Sequence, residues 1–558
     1  MAVVIIMGIK EKIIKDLGLS FLEESDICLV PPNFEGDYSI PCFKMSKELK
    51  KSPADISKEL SEKIECKGII SKIESVGPYL NIFLNKEELV NLVISNIDEN
   101  YGKSDLGKGK TICIDYSSIT LSKQIHIGHL CTTVIGECLA KLYENFGYKV
   151  VRINYLGDMG TPFGKIITMY KLNGNKENIE KHGVNEIQKL YADFAIEEKN
   201  NPEIIEEARK WSLKIENKDE EATRLCEWFK SIALKEAYKI YDQLGIKFDD
   251  WRGEAYYNEK TQEVVKYLKD QNLLVESDGA LCVDLNEFNM GMYLIVKNDG
   301  GTLYSTRDLA AAIDRKKTYN FDKSLYVTGV EQKLHFASFF KVLELMGYEW
   351  AKDLIHIDYG RLSTEFGKIS GREGNTPVVT DIFDASIEKS KKILENKNLS
   401  DSVAEAIGIS AVVFSVLKTE RIKDAVFSLD QAISFEGNSS VYLQYSDVRL
   451  KKVLTKEKLL DDAYNYISKL GTEDEIKLLC KLDDYNDVLL SSLTKHEPYL
   501  ISKYCLELAT LINKFYNDNR IISDDKELTQ ARLLISKLSS LVLEKAMSIL
   551  GVKIIDEM

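Results

Sequence analysis

Apolar and polar positions change their period several times along the chain, and each change marks a different kind of element. The run Thr111-Ile112-Cys113-Ile114 is short and apolar throughout, the pattern of a strand buried on both faces. Residues 129–147 then carry apolar side chains at helical spacing up to a closing glycine, and residues 149–155 are strand-like again. Strand, helix and strand in this order predict a parallel, doubly wound (Rossmann-like) α/β sheet with its ligand crevice at the carboxyl ends of the strands. Charged, helix-forming sequence over about 166–250 reads as an insertion between the two halves of that unit. Strand-like stretches at 280–285, 292–297, 325–329 and 354–359 are expected to resume the same alternation.

The flanks follow other rules. Residues 1–106 read as a separate α+β unit, with a turn at 36–41 and helices over 43–51 and 53–63. Strands are expected over 67–73 and 79–84 around Val76-Gly77-Pro78, and a Gly/Lys-rich linker over 101–110. The α/β unit occupies 110–382. From 383 to Met558 strands become scarce, and Leu/Ile at i, i+3, i+4 over 475–493 and 501–516 predict an all-α terminal bundle.

At 558 residues the chain exceeds one core, which agrees with this division. The hydrophobic start runs into Lys10-Glu11-Lys12 without a small-residue cleavage site, so no signal peptide is expected. No apolar stretch is long enough to span a membrane. Ten cysteines without a Cys-x-x-Cys pair predict buried free thiols, a reducing cytoplasmic setting and no structural zinc. A net charge of −14 weighs mildly against a non-specific nucleic-acid binder, though a local basic groove survives such an average.

Two short motifs bring in chemistry. His126-Ile127-Gly128-His129 stands at a strand-to-helix junction. There Gly128 lets a nucleotide approach the backbone, the helix N-terminus favours phosphate, and both imidazoles can donate to charge developing on an α-phosphate. Far downstream, Gly367-Lys368-Ile369-Ser370-Gly371-Arg372 has the composition of a phosphate-gripping loop. Alone, each has a bland alternative, a helix cap and a solvated basic loop. Together in an α/β chain they resemble the two signatures of the class I aminoacyl-tRNA synthetases.

The resemblance narrows to arginyl-tRNA synthetases and covers essentially the whole length. It is carried by Asp115-Tyr116-Ser117-Ser118, by Lys123 with the His126–His129 turn, and by Arg152 to Gly160. Tyr304-x-Thr306-Arg307-Asp308, the block Gly329 to Phe336, and Phe435-Glu436-Gly437-Asn438 before Tyr442-Leu443-Gln444-Tyr445 continue it. The resemblance implies activation of arginine with Mg-ATP to arginyl-adenylate, then transfer to the terminal adenosine of tRNA(Arg). It also implies a monomer that needs bound tRNA before it forms the adenylate efficiently. His126, His129 and Lys368 take the catalytic roles. Lys123, Gly128, Ser370 and Arg372 attend ATP. Asp115, Ser117, Thr120, Tyr304, Asp308 and Gln332 attend arginine. Tyr442, Gln444, Tyr445 and Tyr516 attend the tRNA.

A guanidinium substrate calls for carboxylates with planar acceptor geometry, and Tyr304 and Asp308, four residues apart, share a face if helical. The chain departs from the family pattern near the pocket. Ile119-Thr120 replaces Pro-Asn, Cys131 an Arg, Met159 a Trp, Pro162 a Gln and Glu373 a Lys. These changes keep open a divergent paralogue that activates another basic or guanidino amino acid or uses a non-tRNA acceptor. A catalytically idle tRNA-binding protein and a nucleotidyltransferase outside the synthetases are weaker alternatives.

Overall fold

Successive residues of the strand Thr111–Asp115 face opposite ways: Ile112 and Ile114 enter one apolar core and Cys113 a second. In Lys323–Gly329 the split recurs, with Leu325 and Val327 on the first side and Tyr326 on the other. Strands covered on both faces are apolar at most positions, so they appear in the sequence as near-continuous runs. The computed structural model describes residues 8–30, 34–298, 300–364, 378–394, 400–435 and 437–558. Its central sheet is parallel, in the order Leu354–Tyr359, Lys323–Gly329, Thr111–Asp115, Lys149–Ile153.

Helix Ile127–Asn145 joins Thr111–Asp115 to Lys149–Ile153 and packs in the first core. Helices Tyr304–Tyr319 and Lys333–Leu345 cover the second. The first helix lies so close to the chain after Thr111–Asp115 that a Cβ on Gly136 would meet the Tyr116 ring at 2.3 Å. Glycine is required there for the approach.

Three expectations need correction. The segments at 280–285 and 292–297 are not in the parallel sheet. Val275–Ser277, Ala280–Asp284 and Met292–Val296 form their own antiparallel sheet. Their links are too short for a parallel crossover: Asp278-Gly279, with φ of 49° and 78°, closes the first, and Asn289 and Gly291 turn the second. Residues 36–41 are not simply a turn, because Tyr38–Pro41 is a strand paired with both neighbours in an N-terminal antiparallel sheet. The expected helix over 475–493 is two, Glu473–Asp483 and Tyr485–Lys495, meeting at Asp484.

The insertion consists of the helices Thr161–Asn173, Lys176–His182, Val184–Asn200, Ile204–Glu216 and Glu220–Leu244. The C-terminal bundle of Ser440–Lys456, Glu473–Asp483, Tyr485–Lys495, Tyr499–Asp518 and Lys526–Leu550 shares the first core with helix Ile127–Asn145. The N-terminal unit docks on the same bundle. Tyr101 donates to the Leu482 carbonyl at 3.0 Å, the Ile9 N–H to Asp483 Oδ2 at 2.7 Å, and Lys10 pairs with Asp487 at 2.7 Å. The described cysteines are all free thiols.

Candidate active site

Strand order reverses between Thr111–Asp115 and Lys323–Gly329, and there, at the carboxyl ends, a cavity of about 520 Å3 opens. The structure brings Asp115, Thr120, Tyr304, Asp308 and Gln332 together in its wall. Tyr304 and Asp308 lie one turn apart on Tyr304–Tyr319, and Asp308 Oδ2 is 2.8 Å from His335 Nε2. The neighbouring Arg307 turns to Glu254 at 2.8 Å and leaves Asp308 to the cavity. Thr120 is fixed by a parallel bridge to Gly157, where a Cβ would stand 3.1 Å from the threonine hydroxyl.

Glu254, His335 and Arg315 are among the lining residues that the sequence does not single out. Glu254 adds a second carboxylate beside Asp308, its carboxyl pushed up by burial, and it stands in a stretch without periodic signal. His335 lies within a family-like block but had no assigned role. Arg315 comes seven residues after Asp308, two turns along the same helical face, so spacing could have found it. Its guanidinium is buried, 2.7 Å from Asp115 Oδ2, while Ser118 donates to Asp115 Oδ1 at 2.8 Å. Burial pushes the Asp115 carboxyl up from its ordinary value, and the guanidinium opposes that shift. Both Asp115 oxygens are therefore engaged within the protein. Nε and Nη2 of Arg315 have no hydrogen-bond partner among the described residues, which leaves buried donors at the cavity wall.

Ser117 is placed differently from its expected role. With φ of 70° its backbone turns the hydroxyl into a buried network with Tyr241, at 2.6 Å, and Thr133, at 2.8 Å, and Ser118 lines the cavity in its stead.

The histidine turn caps helix Ile127–Asn145 reciprocally. Gly128 N–H donates to His126 Nδ1 at 3.1 Å, and His126 N–H donates to His129 Nδ1 at 3.3 Å. With both Nδ1 atoms accepting, each neutral ring carries its proton on Nε2. Burial, reinforced by His126 and Lys123, pushes His129 down to about 3, and burial with Lys123 lowers His126. Two uncharged donors stand at a helix N-terminus, their ring centroids 4.0 Å apart. Lys123 is exposed, with its ammonium 5.2 Å from the Tyr191 ring of the insertion.

Lys368, Ser370 and Arg372 lie outside the described residues, but the chain on either side of them is placed. Leu362–Thr364 pairs in parallel with Ala425–Phe427. Val378 bridges His126, and Val379 N–H donates to the Ile125 carbonyl at 2.9 Å. The segment that holds the three residues therefore ends at the histidine turn.

Of the four tRNA candidates, Gln444 is corrected. It is 1% exposed and donates to the Lys553 carbonyl at 2.8 Å, so it serves the bundle's interior. Tyr445 and Tyr516 flank Arg449, whose guanidinium lies 5.4 Å and 4.0 Å from their centroids, and Tyr442 is half-buried nearby on the same helix. Among the described residues no cluster of three His, Cys, Asp or Glu could hold a metal, and no helix is long and apolar enough to cross a membrane.

Comparison with known proteins adds three family matches in chain order. Residues 7–84 match the arginyl tRNA synthetase N terminal domain, 90–429 the tRNA synthetases class I (R) catalytic domain, and 443–558 the DALR anticodon binding domain. A protein of Clostridioides difficile named arginine–tRNA ligase is 44% identical over 551 residues, 97% of each chain. One of the same name from Halothermothrix orenii is 42% identical over 557 residues, 98% of this chain and 97% of its own. The fold matches the Thermus thermophilus arginyl-tRNA synthetase with a TM-score of 0.80 at 21% identity, covering 98% of this chain and 99% of that one.

Proposed function

The chain belongs to the class I arginyl-tRNA synthetase family, and on that footing we propose that it is an arginine–tRNA ligase. It uses ATP to activate arginine and transfers the arginyl group to tRNA. The observation that carries this reading is the cavity at the strand-order reversal, where Asp308, Glu254 and Tyr304 face one space. Carboxylates fixed in this way suit a planar guanidinium.

In the first step an arginine carboxylate oxygen bonds to the α-phosphorus of Mg-ATP, and the bond to the β-phosphate oxygen breaks to release pyrophosphate. His126 and His129, donating through Nε2–H, stabilise the charge that grows on the α-phosphate oxygens. Because both rings are neutral, they give hydrogen bonds without themselves becoming acids. Lys123, Lys368 and Arg372 hold the triphosphate, Ser370 shapes the loop, and Gly128 admits the nucleotide to the helix N-terminus. Asp308, Glu254, Tyr304, Gln332 and Thr120 select arginine. Asp115 acts through Arg315, whose free N–H groups meet an anionic part of the substrate. In the second step the terminal adenosine of tRNA(Arg) displaces AMP. Tyr442, Tyr445 and Tyr516 present stacking faces for exposed bases, on the bundle against which the N-terminal unit docks.

The test is ATP–pyrophosphate exchange in the presence of total tRNA, and charging of that tRNA, with each amino acid in turn. Arginine should drive both. Thr120, seated in the wall where the family carries an amide, is the feature behind a rival reading. Exchange driven by another basic or guanidino amino acid would install that reading instead.

A further inference from the structure

Helix Tyr304–Tyr319 has two working faces. Tyr304, Asp308, Ala311 and Arg315 line the arginine cavity, while Ile313 and Lys317 line a separate cavity of about 360 Å3. The far wall of that second cavity is helix Thr261–Asp270 and the corner at Tyr348 and Trp350. Its aromatic lining is held in place. The Tyr267 and Tyr348 rings lie 6.1 Å apart at 20°, the Tyr348 and Trp350 rings 5.1 Å apart at 37°, and Tyr267 donates to the Met346 carbonyl at 2.8 Å.

The charges around it are unevenly committed. Lys260 is paired with Asp314, and Lys316 donates to the Phe321 carbonyl. Lys317 is exposed, and neither it nor Glu263 makes an ion pair or hydrogen bond among the described residues. A cavity of this size, aromatic on one wall with one uncommitted cation and one uncommitted carboxylate at its rim, has the makings of a ligand site. Nothing in the activation chemistry uses these side chains.

We propose that this cavity binds a small molecule that joins a planar aromatic ring to an anionic group, its ring stacked against Tyr348 and Trp350 and its anionic group on Lys317 Nζ. A nucleoside monophosphate and an aromatic amino acid share that chemistry. With the nucleotide, ribose hydroxyls reach Glu263; with the amino acid, the ammonium does. AMP leaves the enzyme in every charging cycle, so one such anion is always at hand. An occupant presses on the helix whose other face carries Tyr304 and Asp308, and it therefore shifts the apparent arginine affinity. That consequence rests on the arginine reading of the first cavity, whereas binding itself does not.

The experiment uses the full-length protein with its catalytic centre saturated by a non-hydrolysable arginyl-adenylate analogue. AMP in one arm and L-tryptophan in the other are titrated by calorimetry. One equivalent of one probe should bind, and Lys317→Glu should weaken it at least about tenfold, as loss of a charge-assisted contact with reversal of sign requires. Trp350→Ala should weaken it as well. Lys317 is a surface residue, so its variant decides the matter if the tryptophan variant does not fold. Binding of neither probe, or equal binding to the Lys317→Glu protein, overturns the site. If the analogue fails to bind while a Lys317-dependent probe site remains, the arginine reading falls and this site stands.

Discussion

Arg315 and Asp115, two hundred residues apart in the chain, form a buried ion pair of 2.7 Å at the wall of the cavity proposed for arginine. Arg315 is 1% exposed and Asp115 6%, so water screens the pair weakly. Replacing Arg315 with Met leaves a carboxylate uncompensated in a site that already disfavours its charge. Removing one partner of such a pair costs about 3–5 kcal/mol. Chemical denaturation at pH 7 should show a loss of that order, with arginine-dependent exchange abolished. A variant as stable as the parent would show that the pair is not the element that holds this wall.

The histidine pair gives a kinetic expectation. On the proposed function its two Nε2–H groups act where charge develops, so His129→Ala should lower the activation rate by about 10²–10³ with ATP affinity little changed. An equal loss in ATP affinity with unchanged turnover would assign the residue to ground-state binding. There is a pH corollary. His129 is pushed down to about 3, below its ordinary value near 6.5. Its contribution to stability is complete above the unfolded value and is lost as pH falls from there towards 3. Activation should thus show no ionisation of this histidine between pH 6 and 8.

Why the sequence showed this much and no more can be seen in particular residues. The parallel strands were visible because burial on both faces leaves a run such as Ile112-Cys113-Ile114, and the histidine turn because a cap and an anion site use the same few residues. The three-stranded antiparallel sheet was misplaced because a run of apolar residues does not record its partners. The Asp278-Gly279 turn did record them and went unused. Ser117 and Ser118 are indistinguishable as letters, and only the left-handed backbone decides which hydroxyl faces the cavity. Gln444 looks like a base reader until its helix is turned and buries it. Arg315 stands two turns beyond Asp308, a spacing visible in the sequence, but a cation is not expected in the wall of a site for a cationic substrate.

Asp308 is expected to set the preference for arginine. Asp308→Ala removes a carboxylate held at the cavity by His335 at 2.8 Å, and a buried cationic substrate left without its partner loses about 2–5 kcal/mol. The arginine KM should rise by two orders of magnitude or more, while the fold and tRNA affinity persist. Unchanged arginine kinetics would make the carboxylate structural.

The docking of the N-terminal unit should respond to pH. Asp483 accepts the Ile9 N–H at 2.7 Å, and burial, reinforced by Asp484 and Asp487, raises its carboxyl to about 7. The folded value lies above the unfolded one, so the contribution to stability is present at low pH and is lost as pH rises through 7. Asp483→Asn keeps an acceptor for Ile9 and removes the titration. At pH 8 it should be more stable than the parent by at most about 4 kcal/mol, a difference that shrinks to nothing near pH 4. Urea midpoints that differ equally at both pH values would exclude Asp483 as the titrating group.

The last expectation concerns tRNA. If arginine activation requires bound tRNA, the bundle must act on the segment with Lys368, and Arg421 ties the bundle to the sheet strand Leu354–Tyr359 that precedes that segment. Its Nη1 donates to Asp358 Oδ1 at 2.8 Å at the end of a sheet strand, its Nε to the His496 carbonyl at 3.1 Å, and its N–H to Glu497 at 3.1 Å. His496 and Glu497 form the corner between two bundle helices. The Arg421 carbonyl accepts from Gly360 at 2.7 Å, just before Leu362–Thr364 leads into the segment with Lys368. Removing the bundle from about residue 440 would be a poor test, because its side chains share a core with helix Ile127–Asn145. Arg421→Ala is a sharper one. Exchange with arginine should be near background without tRNA in both proteins. The stimulation by tRNA(Arg) should fall about tenfold in the variant, within the range of site-to-site coupling, while tRNA affinity changes little. Strong exchange without tRNA would remove the need for coupling. Full stimulation of the Arg421→Ala protein would route it elsewhere.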